Sequence, residues 1–410
     1  MDELALQSLD LWSPAFREDP YPTLDLMRTL RPRLAVPHEG GCDWHFTRHD
    51  DVSMVLKDPR FIKEGNRLLD PSQAPVPESE ETRNPLYKMF DNWMLFRDPP
   101  DHTRLRSLVN QAFTPRVVER LRPRISEIAQ GLLSPLQGTE DFDLISAYAF
   151  PLPVIVIAEL LGVPAADREQ FRIWSTAVAR TLELGEVPDD LKQAGGKMAA
   201  EVQDYFRRLV REREVSPRDD LLSGLIAVRV EGSRLTEEEM LATCVLLLFA
   251  GHETTVNLIG NSVHLLLRDR ETYNRLAADR TLLASSVEEC LRYESPVQLT
   301  NRFAAEDIEI GDDRLHRGDN IVVWLNAANR DPQVFNDPNR FDIARHPNRH
   351  LAFAAGPHFC IGAPLARLEG ELALAALMDL YPALRASSDP ITWRPSGVFR
   401  GPVRLSVHTR

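Results

Sequence analysis

The chain has 410 residues, with 48 Lys plus Arg against 61 Asp plus Glu, for a formal charge of −13. That length supports a large core and exceeds the usual span of a single one, so one lobed domain or two domains fit it. The acidic balance argues against nucleic acid as the main partner, and four cysteines with neither a C-x-x-C pair nor zinc spacing argue for a reducing compartment rather than a disulfide framework.

The start, Met1-Asp-Glu-Leu-Ala-Leu, has no signal-peptide pattern and no membrane anchor, so a soluble cytoplasmic protein with no membrane association is expected. A strand-like segment near Trp44-His-Phe-Thr precedes Asp50-Asp-Val-Ser-Met-Val-Leu, which reads as a short helix. Residues 67–88, with Pro71, Pro75, Pro77 and a run of glutamates, read as a mobile loop. Helical periodicity dominates from His102 past Gly260, punctuated by Pro151, Pro153, Pro164 and Pro188. Val322-Val-Trp324 and Val403 to Val407 read as minor strands. The expected class is mostly α with a small β portion.

The longest helix candidate opens at Thr236, where Thr236-x-x-Glu239 forms a capping box before an apolar run. Continued to Arg268 it spans ~33 residues and ~50 Å at ~1.5 Å per residue. Its first half is apolar on nearly all sides and should cross the interior. The run Met240 to Gly251 is too short for a bilayer. Ala250-Gly251-His252-Glu253-Thr254-Thr255 then places an acid and alcohols where burial is costly without hydrogen bonds or water. Gly251 would let a ligand or water approach the backbone, and a threonine hydroxyl can bond a helical carbonyl and bend the helix. A kinked helix with satisfied polar groups and a proton-delivery pair both fit these residues. A zinc-protease site does not, because position 256 is Val.

His102 and Arg106 lie four apart in Asp98-Pro-Pro-Asp-His102-Thr-Arg-Leu-Arg106 and share a helix face, suited to a solvated surface or to gripping an anion. Arg104, Arg106, Arg116, Arg120, Arg122 and Arg124 stand against Glu119 and little else acidic, either a solvated face or a docking patch. Glu289-Cys-Leu-Arg292 has the spacing of an ordinary surface ion pair. The richest segment runs Phe353-Ala-Ala-Gly356-Pro-His358-Phe-Cys360-Ile-Gly362-Ala-Pro364-Leu-Ala-Arg367. Gly356 and Gly362 permit backbone shapes and approaches that a Cβ would block, and Pro364 suits a first helical turn. The thiol therefore stands just ahead of a helix N-terminus, which favours thiolate. A buried structural cysteine is the competing reading.

The pattern Phe353-x-x-Gly356-x-His358-x-Cys360-x-Gly362, followed by Leu365-Ala-Arg367, resembles the cysteine loop of the cytochrome P-450 superfamily. The likeness extends from Asp19-Pro-Tyr-Pro to Arg400-Gly-Pro-Val-Arg404. It implies the α-rich triangular-prism fold as a single domain over residues 1–410 without a fused reductase. It also implies heme b (iron protoporphyrin IX) with Cys360 as the iron ligand. Phe353, Gly356, Gly362 and Ala250 would border the cofactor, while His102, Arg106, Arg302 and His358 would hold its propionates. Glu253 and Thr254 would be the catalytic proton-delivery pair. Glu289 and Arg292 would form a buried structural pair locked onto Arg345, or else Arg330. Met94 to Phe96, Leu246, Phe249, Val297 to Thr300, Val398 and Phe399 would face substrate, with Gln298 and Thr300 able to orient it.

The implied activity is insertion of one oxygen atom of O2 into a C–H bond of a small, mainly apolar organic substrate, by hydroxylation or epoxidation. Electrons would come from a ferredoxin and its NAD(P)H-dependent ferredoxin reductase, or a flavodoxin-type carrier, docking on the arginines of 104–124 of a monomer. Ala250–Asn257 and Cys360–Glu369 look most like polyketide- and macrolide-tailoring hydroxylases. Fatty acids, terpenoids and steroids stay open as substrates, and a peroxide-driven peroxygenase or a non-catalytic haem sensor stay open as functions.

Overall fold

The computed structural model describes Leu6 and residues 9–68, 83–181, 189–228 and 232–409. The chain is mostly α with a small β portion, as its sequence implies, and it forms two compact units. One comprises Met1–Val76, Asn261–Cys360 and Pro390–Val403; the other comprises Pro77–Gly260, Ile361–Asp389 and Arg404–Arg410.

The first unit is built on a five-stranded sheet in the order Arg33–His38, Gly41–Phe46, Asn320–Trp324, Leu299–Ala304, Phe61–Ile62. The pairing is antiparallel except between Gly41–Phe46 and Asn320–Trp324, which run parallel. The strand at Trp44 and the following helix, His49–Lys57, lie where the sequence places them. Arg33–His38 was not foreseen, since Pro37 obscures it; the strand tolerates that proline because it lies at the sheet edge. Along Asn320–Trp324 the side chains alternate between two cores. Ile321 and Val323 join Phe46, Val55 and Leu56, whereas Val322 and Trp324 join Leu24, Met27 and Leu299. A strand covered on both faces reads as an unbroken apolar run. Trp324 Nε1 donates to His45 Nδ1 at 3.2 Å, and burial lowers the His45 pKa to about 4, so that ring stays neutral.

Glu289 and Arg292, on helix Leu283–Tyr293, are not a surface pair; both side chains are fully buried. Arg292 meets Glu289 through Nε at 2.7 Å and Nη2 at 2.8 Å, and Arg345 Nε lies 3.1 Å from both carboxylate oxygens. The Asp342 backbone N–H and the Asn348 amide complete the set of donors to Glu289. Arg345 is thus the third member. Arg330 is elsewhere, its guanidinium stacked 3.4 Å from the Tyr21 ring centre and 3.8 Å from that of Tyr293. Buried charges this well satisfied hold; removing one partner typically costs about 3–5 kcal/mol.

In the second unit the long helix starts at Glu237 and runs in the chain to Arg268. The capping box is reciprocal: the Glu239 N–H donates to Thr236 Oγ1 at 3.2 Å, and the Thr236 N–H to Glu239 Oε2 at 2.9 Å. By length and composition this helix could cross a membrane, but 83% of its most apolar window is buried inside the protein, as befits a core helix. Helix Ala363–Leu380 packs on Arg122–Leu133, tied by Tyr148 to the Ala373 carbonyl at 2.8 Å and Tyr381 to the Leu133 carbonyl at 3.0 Å. One proline misled the sequence reading here. Residues 85–88, the end of the stretch expected as loop, belong to helix Pro85–Asp91 with Pro85 in its first turn and Asn84 as the cap; residues 69–82 lie outside the described residues. Pro151 punctuates the helical stretch as expected, opening helix Pro151–Leu160 after a single π-turn at Ile145–Ala149. Pro188 lies outside the described residues.

Glu369 is fully buried in helix Ala363–Leu380, and desolvation raises its pKa well above 4.5. The folded state therefore holds a proton that the unfolded state releases above about pH 4.5, so this group's contribution falls as pH rises towards the folded pKa. Glu369→Gln, neutral at every pH, should be more stable than the native protein at pH 8 and nearly equal to it at pH 5. Urea midpoints at the two pH values read the difference.

Candidate active site

The cysteine loop belongs to the first unit and is built on two backbone ties. The Cys360 N–H donates to the Phe353 carbonyl at 2.9 Å, and the Phe359 N–H to the Gly356 carbonyl at 3.1 Å. Gly356 has φ +68°, and a Cβ there would collide with the Leu56 carbonyl. Position 354 separates those two constraints. Ala354 also sits at left-handed φ, +56°, yet its methyl packs against the core cluster around Leu56. Left-handed backbone alone is thus tolerated in this loop, at about 1–2 kcal/mol; the collision is what demands glycine at 356. Gly362 departs from expectation. Its φ is −81°, open to any residue, and it serves as N-cap of helix Ala363–Leu380 with Pro364 in the first turn.

Cys360 is exposed, two residues ahead of that cap, where unpaired N–H groups and the positive dipole end favour an anion. The other cysteines show the opposite design. Burial pushes Cys42 up to about 11 and Cys244 and Cys290 up to about 12, far from thiolate at neutral pH. The structural-cysteine reading suits those three and fails for Cys360.

Residues the sequence did not flag hold the loop from behind. The Ala352 N–H donates to His350 Nδ1 at 3.2 Å, which leaves Nε2 as the protonated nitrogen facing Glu288, also at 3.2 Å. The Leu351 N–H donates to Asn329 Oδ1 at 2.6 Å. No spacing rule points to either contact. Phe353 is half-buried within the loop, and His358 is half-buried on the turn Gly356–His358. Arg302, on strand Leu299–Ala304, is only 2% exposed and donates to the Asn301 carbonyl at 2.7 Å.

In the second unit, the long helix is buried on nearly every side except one stripe. Ala250 is exposed and Thr254, one turn on, is half-exposed, while Leu246 to Phe249, His252, Glu253 and Thr255 are buried. The Thr254 hydroxyl donates to the Ala250 carbonyl at 2.7 Å, yet the segment stays α-helical throughout. Gly251 has a packing role: a Cβ there would lie 3.1 Å from Ile157 Cδ1, so glycine lets helix Pro151–Leu160 approach closely. His102 is buried and Arg106 half-buried on helix Asp101–Ala112. The arginine cluster is partly neutralised within this unit. Arg104 pairs with Glu239, Arg122 with Glu119, and Arg124 with Glu127 and Glu159, leaving Arg116 and Arg120 exposed.

Arg302, Phe353, Gly356, His358 and Cys360 thus fall in one unit, and His102, Arg106, Ala250, Glu253, Thr254 and Gly362 in the other. Of the residues expected to face substrate, Gln298 has its amide engaged within the protein. It is 5% exposed, with Nε2 donating to the Ser295 carbonyl at 2.6 Å and Oε1 accepting from Asn326 at 2.5 Å. Thr300 Oγ1 accepts from Lys63 at 3.0 Å. Among the described residues no group of three or more His, Cys, Asp or Glu could hold a bare ion. One accessible thiol, with arginine and histidine at hand for carboxylates, fits a metal that arrives in its own nitrogen macrocycle.

Comparison with known proteins agrees. Residues 184–385 match the Cytochrome P450 family. The chain is 44% identical over 403 residues to the cytochrome P450 monooxygenase PikC of Streptomyces venezuelae, covering 96% of this chain and 92% of that one. It is 39% identical over 402 residues to the polyketide biosynthesis cytochrome P450 PksS of Bacillus subtilis, covering 95% and 97%. A solved structure of P450BioI in complex with a hexadec-9Z-enoic acid ligated acyl carrier protein superposes with TM-score 0.88 and 39% identity, over 97% of this chain and all of that one. This chain belongs to the cytochrome P450 family, a class of oxygen-incorporating oxidoreductases that carry heme b, take electrons from redox partners and act on small molecules.

Gly356→Ala should be more damaging than the native alanine at 354, because the collision adds to the left-handed penalty. A stability loss beyond about 2 kcal/mol in denaturant titration is expected; a loss below about 1 kcal/mol would show that the Leu56 carbonyl yields easily.

Proposed function

We propose that the protein is a monooxygenase that inserts one oxygen atom of O2 into a C–H bond of a largely apolar, polyketide- or macrolide-like molecule. The observation that carries this reading is the exposed Cys360 thiol, presented on the Gly356 turn ahead of a helix N-terminus. Cys360 would ligate the iron, and His102, Arg106, Arg302 and His358 would take the propionates. When bound, the haem supplies an iron that activates dioxygen, with thiolate donation favouring O–O cleavage.

The chain's own contribution is proton handling. Thr254 Oγ1 gives its proton to the Ala250 carbonyl, so its lone pairs are open to a water on the exposed stripe of the helix. Glu253, adjacent and buried, would supply protons to this hydroxyl by way of water. Turning the hydroxyl away from Ala250 passes a proton onward and leaves the oxygen to be replenished from Glu253. The polyketide preference rests on the similarity to PksS. Electrons would come from a separate ferredoxin and its NAD(P)H-dependent reductase, with the exposed Arg116 and Arg120 on the docking face. We place the enzyme in the cytoplasm as a monomer of one catalytic domain.

Turnover under 18O2 with NADPH, a ferredoxin and its reductase tests the reaction class. Product carrying one heavy oxygen is expected; product formed only when peroxide is added would indicate a peroxygenase. Thr254→Ala should consume NADPH at a near-native rate while diverting most of the electrons to peroxide. Product yield per NADPH equal to the native enzyme would remove Thr254 from proton delivery.

A further inference from the structure

Asn257 lies in the long helix Glu237–Arg268, and the reaction described above makes no use of it. Its exposure is 0%, and neither Oδ1 nor Nδ2 of its amide has a hydrogen-bond partner among the described residues. An amide offers both donors and acceptors, and burying it with none of them engaged is costly. An aliphatic side chain of similar volume would fill the same space without that cost. Asn261, one turn further on, shows an asparagine with a packing duty: its amide donates to the backbone carbonyls of Glu294 and Arg400, both at 3.0 Å. Asn257 ties no backbone.

The place of Asn257 on the helix supplies a use for its amide. It follows Glu253 by four residues and Thr254 by three. Side chains three and four apart are neighbours on a helix, with about 5–6 Å between Cβ atoms, whereas adjacent residues such as Glu253 and Thr254 do not face each other. One residue therefore adjoins both members of the proton-delivery pair, and its amide bonds to neither. A gap of that size between polar side chains takes a water, and buried waters settle where polar groups would otherwise go unsatisfied, making about three hydrogen bonds each. Glu253, Val256, Leu258 and Ile259 are each 1% exposed, so water beside Asn257 is resident and not bulk solvent.

We infer that Asn257 is a positioning residue for proton delivery: its amide holds internal water between the Glu253 carboxyl and the Thr254 hydroxyl. This rests on the monooxygenase reading above. The protonated Glu253 carboxyl gives a proton to the water, and the water gives one of its own to Thr254 Oγ1 as that hydroxyl passes its proton onward. The water ends as it began, and Glu253 is left as carboxylate until solvent returns its proton. Asn257 takes no proton itself. Its N–H donors on the water oxygen leave the water's hydrogens to point at acceptors, Thr254 Oγ1 among them.

The test uses holoenzyme and two variants that separate packing from hydration. Asn257→Leu keeps the volume and removes the amide; Asn257→Ser leaves space and keeps a hydroxyl that can hold water. Crystals of each are read for a water within hydrogen-bond reach of both residue 257 and Glu253. Turnover of a macrolactone with NADPH, ferredoxin and reductase is read as product per NADPH. The native enzyme and Asn257→Ser should show the water, and Asn257→Leu should lack it. Product per NADPH should fall about tenfold in Asn257→Leu, with peroxide making up the difference; the loss is smaller than the ~100-fold that a positioned proton donor contributes because Glu253 and Thr254 remain. Asn257→Ser should recover most of that yield despite a lower melting temperature from lost packing. A purely structural asparagine reverses the order, with the leucine variant fully coupled. That result, or a native crystal with no water at Asn257, overturns the inference; if the leucine variant fails to fold, the native and serine crystals still decide it. Native holoenzyme that shows the water yet leaves the macrolactone unoxidised would instead contradict the functional reading.

Discussion

A thiol that must carry negative charge cannot be sunk in apolar surroundings; it needs a positive field and access to its partner. Position 360 meets that constraint through backbone shape. The turn at Gly356 fits under the Leu56 carbonyl only because no Cβ intervenes, and it delivers the sulfur just before the first turn of helix Ala363–Leu380. Burial raises the pKa of the remaining cysteines, of which Cys244 and Cys290 are fully buried and Cys42 partly so. Much of the first unit serves to keep that loop where it is, from the His350–Glu288 contact to the Asn329 side chain that caps Leu351.

Buried charge is the second organising device, and here it fixes irregular chain. Glu289 collects Arg292, Arg345, Asn348 and the Asp342 N–H, and the two arginines in turn donate to the carbonyls of Asn329, Asn336, Asp337, Pro338 and Arg340. A segment with little regular structure would otherwise have to leave those carbonyls to water. Glu294 does the same: it accepts from Tyr21 and Arg400, and Arg400 donates to the carbonyls of Arg17 and Glu18. In both places one carboxylate on or just after helix Leu283–Tyr293 gathers arginines that satisfy distant backbone, so the ion pairs specify loop geometry as much as they contribute stability.

The parts legible in the sequence were those with local causes. Thr236-x-x-Glu239 forms its reciprocal cap with no help from the fold, and the helix after Asp50 follows from periodicity. The cysteine loop was readable because its glycine, histidine and thiol lie within a few residues of one another. Prolines and glycines were harder, since each has several uses. Pro85 starts a helix that the sequence reading took for loop, and Gly251 makes room for Ile157. Long side chains were hardest. Arg104, Arg124 and Gln298 looked available until tertiary structure brought Glu239, Glu159 and Asn326 to them, none of which any local pattern reveals. The node at Glu294 joins residues 21, 294 and 400 and has no local signal at all.

The most direct test of the central claim is the absorption spectrum of reduced holoenzyme under carbon monoxide, recorded for the native chain and for Cys360→His. Thiolate ligation at Cys360 predicts the strongly red-shifted Soret band of cysteine-ligated haem in the native protein and its return to the histidine-ligated position in the variant. A native band at the histidine-ligated position, or a red-shifted band that survives Cys360→His, would contradict it.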